Sequence, residues 1–392
     1  MSLGMSSLFS SREDEAVDYA LLGALGGLMG LGLVMVFSAS IAISEKWFDN
    51  PFHYVLRQAF AMGLGIFAAL LMLKIPLSFW EKHRQTLLLV GLGLLILVLL
   101  VGREVNGSKR WLPLGLMNFQ VSEFMKLVAI IFLAGYLDRH AVAVRENFQA
   151  VIRLALPFGL TALLLLLEPD FGSTFVIAVV VTGMLLIAGS PWRYFVMAVV
   201  PMLAFLTVMV AVSPYRLQRV TSFLDPWADP FGSGYQLTQA LIASGQGYWH
   251  GVGLGESVQK LLYLPDAHTD FLFSIYAEEF GYLGVVALGL LYLFIVFRIF
   301  AIGRRALNKG LFFGGMIAYG VGIWIILQAM INMGVNLGIF PTKGLTLPLM
   351  SYGGSSVLLI LMALGLVFRV DYETRHQLES PPQDLDADLT DE

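Results

Sequence analysis

The chain has 392 residues, 57% hydrophobic and only 13% charged, with a mean hydropathy of +0.76 and a net charge of −4. Soluble globular chains carry about 25% charged residues, so lipid is the expected solvent, and scattered basic residues with a negative balance exclude nucleic acid as a partner. Without one cysteine, disulfides, thiol catalysis and thiolate metal sites are excluded too.

Residues 1–16 are polar, contain Arg12-Glu13-Asp14-Glu15 and lack a cleavage-site pattern, so they read as a cytoplasmic tail rather than a leader. At ~20 apolar residues per crossing, spans are expected to start near Val17, Tyr54, Trp80, Gln120, Ala150, Ser173, Tyr194, Thr269, Phe312 and Thr346. In the first, Gly23-x-x-x-Gly27 and Gly26-x-x-x-Gly30 read as small residues at a helix contact. Nothing alternates with a strand-like period, and lipid excludes open sheets. The expected fold is therefore an all-α polytopic membrane bundle of about ten helices over residues 17–370. Residues 214–268 form a large loop between the seventh and eighth spans. The stretch 371–392, with Pro381-Pro382 and many acids, reads as a disordered cytoplasmic tail.

Lysine and arginine in the short loops orient the bundle. Lys74, Lys82, Arg84, Arg139, Arg145, Arg153, Arg193, Arg298, Arg304, Arg305, Lys309, Arg369 and Arg375 fall on one side, and with Arg12 make fourteen of the 24 basic residues. The opposite side holds nine, and Lys126 falls inside a span. This bias puts both termini in the cytoplasm and the 214–268 loop outside. Several of the outer basic residues sit in compact polar motifs, as though recruited for an anionic ligand.

Four such motifs lie at outer span ends. In Asn106-Gly107-Ser108-Lys109-Arg110-Trp111, cations and backbone amides suit phosphate, or a hydrated loop against lipid headgroups. Glu168-Pro169-Asp170-Phe171-Gly172-Ser173-Thr174 adds two acids. The long loop carries Arg216, Arg219 and Asp225-Pro226-Trp227-Ala228-Asp229-Pro230, and closes on His268-Thr269-Asp270. The last motif runs from Pro341-Thr342-Lys343-Gly344-Leu345-Thr346 to Ser351-Tyr352-Gly353-Gly354-Ser355-Ser356, whose glycines and serines suit a phosphate nest or a tight helix start. Asp270 stands where an apolar run begins. One reading has Thr269 capping the next helix with Asp270 in its first turn. The other makes Asp270 a desolvated carboxylate with a pKa raised toward general-base values, paired with the titratable His268. Inside spans, Glu123 and Lys126 at i, i+3 read as an ion pair. Glu278 and Glu279 cannot face one partner together, so at least one is expected in a structural pairing or a polar cavity wall. Asp170 is grouped with them as structural or cavity-lining.

Taken together, these motifs resemble the SEDS family (shape, elongation, division and sporulation) from the first span to about Arg369. Tyr263-Leu264-Pro265-Asp266-Ala267-His268-Thr269-Asp270-Phe271 and Pro341-Thr342-Lys343-Gly344-Leu345-Thr346-Leu347-Pro348 carry most of the likeness. The Lys343-Gly-Leu-Thr wording looks like the family's division branch rather than its elongation branch. Many relatives have Glu where this chain has Asp266, which keeps the charge. The resemblance implies a bundle akin to GT-C glycosyltransferases, sited in the bacterial inner membrane at the division septum. It implies a peptidoglycan glycosyltransferase that polymerises lipid II, the undecaprenyl-diphosphate disaccharide-pentapeptide, with Asp270 as its essential acid. It also implies a cognate class B penicillin-binding protein as transpeptidase partner, alongside division membrane proteins such as FtsQ, FtsL and FtsB. Candidate substrate-binding residues are Lys109, Arg110, Arg216, Arg219, His268, Thr269, Lys343, Ser351 and Gly353. No resident metal is expected, although a divalent cation, magnesium or manganese, can share the leaving group's charge. Two alternatives stand beside the enzyme: a lipid II flippase, to which Glu278, Glu279, Lys126, Asn332 and Asn336 give mid-depth polarity, and a non-catalytic divisome scaffold.

Overall fold

A computed structural model describes residues 17–105, 108–113, 118–194, 196–197, 221–341 and 344–376. The chain runs through α1 (Tyr19–Phe48), α2 (His53–Lys74), α3 (Leu77–Val101), β1 (Arg103–Val105), β2 (Ser108–Pro113), β3 (Asn118–Gln120) and α4 (Val121–Glu146). It continues through α5 (Phe148–Ile152), α6 (Ala155–Leu167), α7 (Phe171–Ile187), a 3-10 turn at Pro226–Ala228, α8 (Tyr235–Gln246), α9 (Leu272–Asn308), α10 (Phe312–Asn336) and α11 (Gly354–His376). Among the described residues, eight segments are long and apolar enough to cross a membrane, with α5 and α6 joined as one; α7 is apolar but shorter, at 17 residues. The expected seventh span lies almost wholly outside the described residues, as do the tails at 1–16 and 377–392.

Two boundaries differ from expectation for physical reasons. The last span starts at Gly354, not Thr346, because residues 348–350 make a turn at Pro348 with Leu349 in the left-handed region at φ 61°. It also continues past 370 to His376. There Asp371, fully buried, pairs with Arg305 and Arg375, while Glu373 pairs with Arg369 and accepts from the Leu77 N–H that opens α3. At the paired glycines of α1, a Cβ on Gly23, Gly26, Gly27 or Gly30 would meet nothing within 4 Å among the described residues, so no described helix packs there. Close approach occurs instead between α2 and α11, where a Cβ on Gly365 would lie 2.6 Å from the Ala69 carbonyl oxygen.

A small antiparallel sheet, ordered β1-β2-β3, was not expected from the sequence. It bridges α3 and α4, with Trp111 opposite Gln120, and is tied to α11 where the Gln120 N–H donates to Ser355 Oγ.

The long α9 is two helices joined at Gly281, whose φ 66° and ψ −168° are not helical. The broken ladder is repaired from outside. Val252 and Gly253 N–H donate to the carbonyls of Glu278 and Glu279, and the N–H groups of Tyr282 and Leu283 donate to Tyr248 and Trp249. Gly251 and Gly281 lie backbone to backbone, so neither tolerates a side chain. Gly281→Ala puts a Cβ into that contact and forces a residue into a region open mainly to glycine, a strain of about 1–3 kcal/mol before the clash. A clearly lower thermal unfolding midpoint in detergent is the expected result; an unchanged midpoint would contradict the clasp.

Candidate active site

Three parts of the chain meet around Asp270. It lies just before α9, whose N-cap is Phe271 with no side-chain bond. Thr269 is therefore not a cap; its hydroxyl donates to the Asp266 carbonyl. The Asp270 backbone carbonyl accepts from Asn332 Nδ2 at 2.9 Å and Asn336 Nδ2 at 3.0 Å, one turn apart on α10. Asn332 Nδ2 also reaches the Leu345 carbonyl at 2.6 Å, and Asn336 Oδ1 accepts from Ser274 N–H and Oγ. Two amides thus fix the Asp270 turn, the start of α9 and the 344–347 loop to one helix.

Among the described residues Asp270 is hydrogen-bonded through its backbone carbonyl and not through its carboxyl, and the residue is half-buried. It lies against Gly344, where a Cβ would come within 3.0 Å of Asp270 Oδ2. Desolvation, then the charge of Asp266, pushes its pKa up to about 7, against the opposing pull of Arg110. A group at that value is divided between base and acid near neutrality.

Arg110 projects from β2 toward the turn after α6, donating from Nε to the Glu168 carbonyl at 3.1 Å and from Nη2 to that of Pro169. Lys109, its neighbour on the pleat, is exposed. Glu168 is buried, neither carboxylate oxygen has a partner among the described residues, and its pKa is raised to about 8 by desolvation and by Asp170, with Arg110 opposing. Asp170 caps α7 by accepting from the Ser173 N–H at 3.1 Å. Its neighbour Gly172 packs on Leu345, which brings the start of α7 to the same loop as Gly344.

His268 is buried, its ring centroid 4.4 Å from Tyr54 and 5.6 Å from Tyr352, and desolvation lowers its pKa to about 4. It is neutral at working pH and forms no ionic pair with Asp270. Its carbonyl accepts from the Tyr352 N–H. Ser351 is buried with its hydroxyl accepting from the Leu347 N–H, and the Gly353 N–H donates to Gln58 Oε1. Both therefore secure the turn into α11. Arg216, Arg219 and Lys343 lie outside the described residues.

The remaining polar residues act in the bundle interior. Lys126 pairs with Glu123 at 2.6 Å, donates to Gln328 Oε1 at 2.9 Å and lies over Trp324. Glu278 accepts from Ser257 Oγ and the Val258 N–H, whereas Glu279 pairs with Lys260 at 2.9 Å and accepts from Ser38. The two glutamates have separate partners, as their adjacency requires. Asn332 and Asn336, read from sequence as transport polarity, are committed to backbone carbonyls. Their i, i+4 spacing was visible; their shared partner Asp270, 62 and 66 residues earlier in the chain, was not. No three His, Asp or Glu among the described residues come together as metal ligands.

A family model described as cell cycle protein, built on FtsW, RodA and SpoVE, matches residues 19–376. The chain is 72% identical over 359 residues to a probable peptidoglycan glycosyltransferase FtsW of Hydrogenovibrio crunogenus, covering 92% of each. It is 48% identical to the corresponding protein of Legionella pneumophila, covering 94% of each. Its fold is similar to a chain from a peptidoglycan synthase complex studied for the coordination of polymerization and crosslinking, with TM-score 0.76, 31% identity, and 92% and 99% of the chains covered. The rod shape determining protein RodA of Thermus thermophilus is similar as well, with TM-score 0.69, 30% identity, and 92% and 99% covered.

Proposed function

The chain belongs to the cell cycle protein family of FtsW, RodA and SpoVE, and we propose that it is the peptidoglycan glycosyltransferase of division, polymerising lipid II with Asp270 as general base. The observation that carries the chemistry is a half-buried carboxyl, anchored through its backbone, without a hydrogen bond from the described residues and with a pKa raised to about 7. Asp270 takes the proton from the acceptor's GlcNAc 4-hydroxyl as that oxygen bonds to C1 of the donor MurNAc. The bond from C1 to the diphosphate breaks with inversion, and undecaprenyl diphosphate leaves carrying its electron pair. That group needs cations more than a proton. Arg110 and Lys109 are assigned to it, with Arg216, Arg219 and Lys343 from outside the described residues. A divalent ion, magnesium or manganese, would arrive with the diphosphate as part of the substrate.

An integral protein of the inner membrane acting on a prenylated saccharide needs apolar walls and a polar lip, which suits a bundle with its titrating acid at one end. The reading further assigns both termini to the cytoplasm, the protein to the septum, and as partners a class B penicillin-binding protein together with FtsQ, FtsL and FtsB. The flippase alternative loses weight because Asn332 and Asn336 are spent on holding Asp270. Purified protein with its transpeptidase and labelled lipid II tests the proposal, with glycan strands as readout.

The pH dependence has a fixed sign. The base works ionised, so polymerisation should rise with pH and reach half its plateau near 7. Arg110→Gln removes a cation that favours the carboxylate and should move the midpoint up. Asp266→Asn removes a repelling anion and should move it down. Initial rates between pH 5.5 and 8.5 check both, and shifts of the opposite sign would exclude Asp270 as the group observed.

A further inference from the structure

The end of the bundle away from Asp270 carries a polar cavity. It lies between the first turns of α3 and the C-terminal part of α4, with a volume of about 230 Å³, lined by Ser78, Glu81, Lys82, Arg84, Gln85 and Arg139. The stretch of α3 from Gln85 to Val101 separates it from the sheet that holds Arg110, about 24 Å at 1.5 Å per residue. It therefore belongs to no part of the site above. We propose that this cavity is a phosphate-ester site occupied by the headgroup of an acidic phospholipid.

Three cations face one carboxylate here. Arg84 is buried because Gly135 of α4 has no side chain; a Cβ there would strike Arg84 Cδ, so the arginine stem lies flat across the glycine and its head is held at the cavity. Its Nη1 donates to the Glu81 carbonyl, which leaves the other guanidinium N–H groups to be shared. Arg139 is half-exposed and only 3.5 Å from Glu81, a loose contact that permits it to turn inward. Lys82 is exposed and forms no ion pair with the described residues. The other nearby acid, Asp138, is not part of the lining, although its charge reaches Arg84. Ser78 and Gln85 add neutral polar groups. A fixed arginine fork, a swinging arginine, a free ammonium and small donors form a set that matches the oxygens of a phosphate.

The surroundings favour a lipid source over a free anion. Phe79, next to the cavity, and Leu89 and Val90 farther along α3 are exposed apolar side chains. Acyl chains lying along that face would bring a headgroup phosphate to the helix end where the cations wait. Basic pockets between helices at the cytoplasmic surface take acidic headgroups in this way.

The test uses the full-length protein in nanodiscs of phosphatidylcholine doped with phosphatidylglycerol, with co-purifying lipid counted after detergent exchange. Wild type should retain phosphatidylglycerol over phosphatidylcholine, and K82Q/R139Q, removing two basic residues, should lower that retention about thirtyfold. Both side chains are exposed, so the variant should keep its lipid-free unfolding midpoint, and R153Q on the same face should retain lipid as wild type does. Three results would overturn the proposal: no preference for phosphatidylglycerol, an equal loss in R153Q, or inorganic phosphate binding the protein while lipid retention is the same in K82Q/R139Q as in wild type.

Discussion

Asp270→Asn should reduce lipid II polymerisation by about 10²–10⁴-fold, the contribution of a positioned proton acceptor, while expression and transpeptidase binding stay at wild-type levels. The amide has the size of the carboxylate, so the contact with Gly344 is kept. The tethers from Asn332 and Asn336 engage the backbone carbonyl and do not sense the substitution. What disappears is the acceptor for the sugar proton. Asp270→Glu is a useful companion, because one more methylene drives the carboxyl toward Gly344 and should restore only part of the rate. Reconstituted protein, cognate transpeptidase and gel-resolved glycan give the measurement. Near-normal strands from Asp270→Asn would refute the assignment.

Removing both tethers should be nearly as damaging by another route. In Asn332→Ala/Asn336→Ala the Asp270 carboxyl remains, but its turn loses its attachment to α10, to Leu345 and to the start of α9. A shift of about 1 Å in a reacting group can cost about 10²-fold in rate. The expected pattern is kcat down about a hundredfold, KM close to wild type, and residual activity still rising with pH through the range set by burial and Asp266. Each single variant should fall between wild type and the double. Normal kcat would show that the position of Asp270 is set elsewhere.

The sequence disclosed the bundle because each crossing leaves a long apolar window, and the starts of α1, α2, α3, α4 and α10 fall within a few residues of expectation. It hid the sheet, whose strands of three to six residues are too short to show alternation. It misplaced the start of α11 because Leu345, Leu347, Leu349 and Met350 are as apolar as any span, yet are buried in the loop and turn that precede the helix. Asp270 could be singled out since a lone acid beside an apolar run is conspicuous. Its supports could not, because a hydrogen bond from Asn332 to a main-chain oxygen leaves no trace in side-chain pattern. Glu168 was passed over for the same kind of reason: only three dimensions reveal that both its oxygens lack a partner among the described residues.

The grip on Asp270 comes from two carboxamides, groups that neither gain nor lose protons in water's accessible range. The mounting is consequently blind to acidity even as the acid it carries changes state near neutrality. Between turnovers the side chain can discharge its proton without disturbing the frame that aims it.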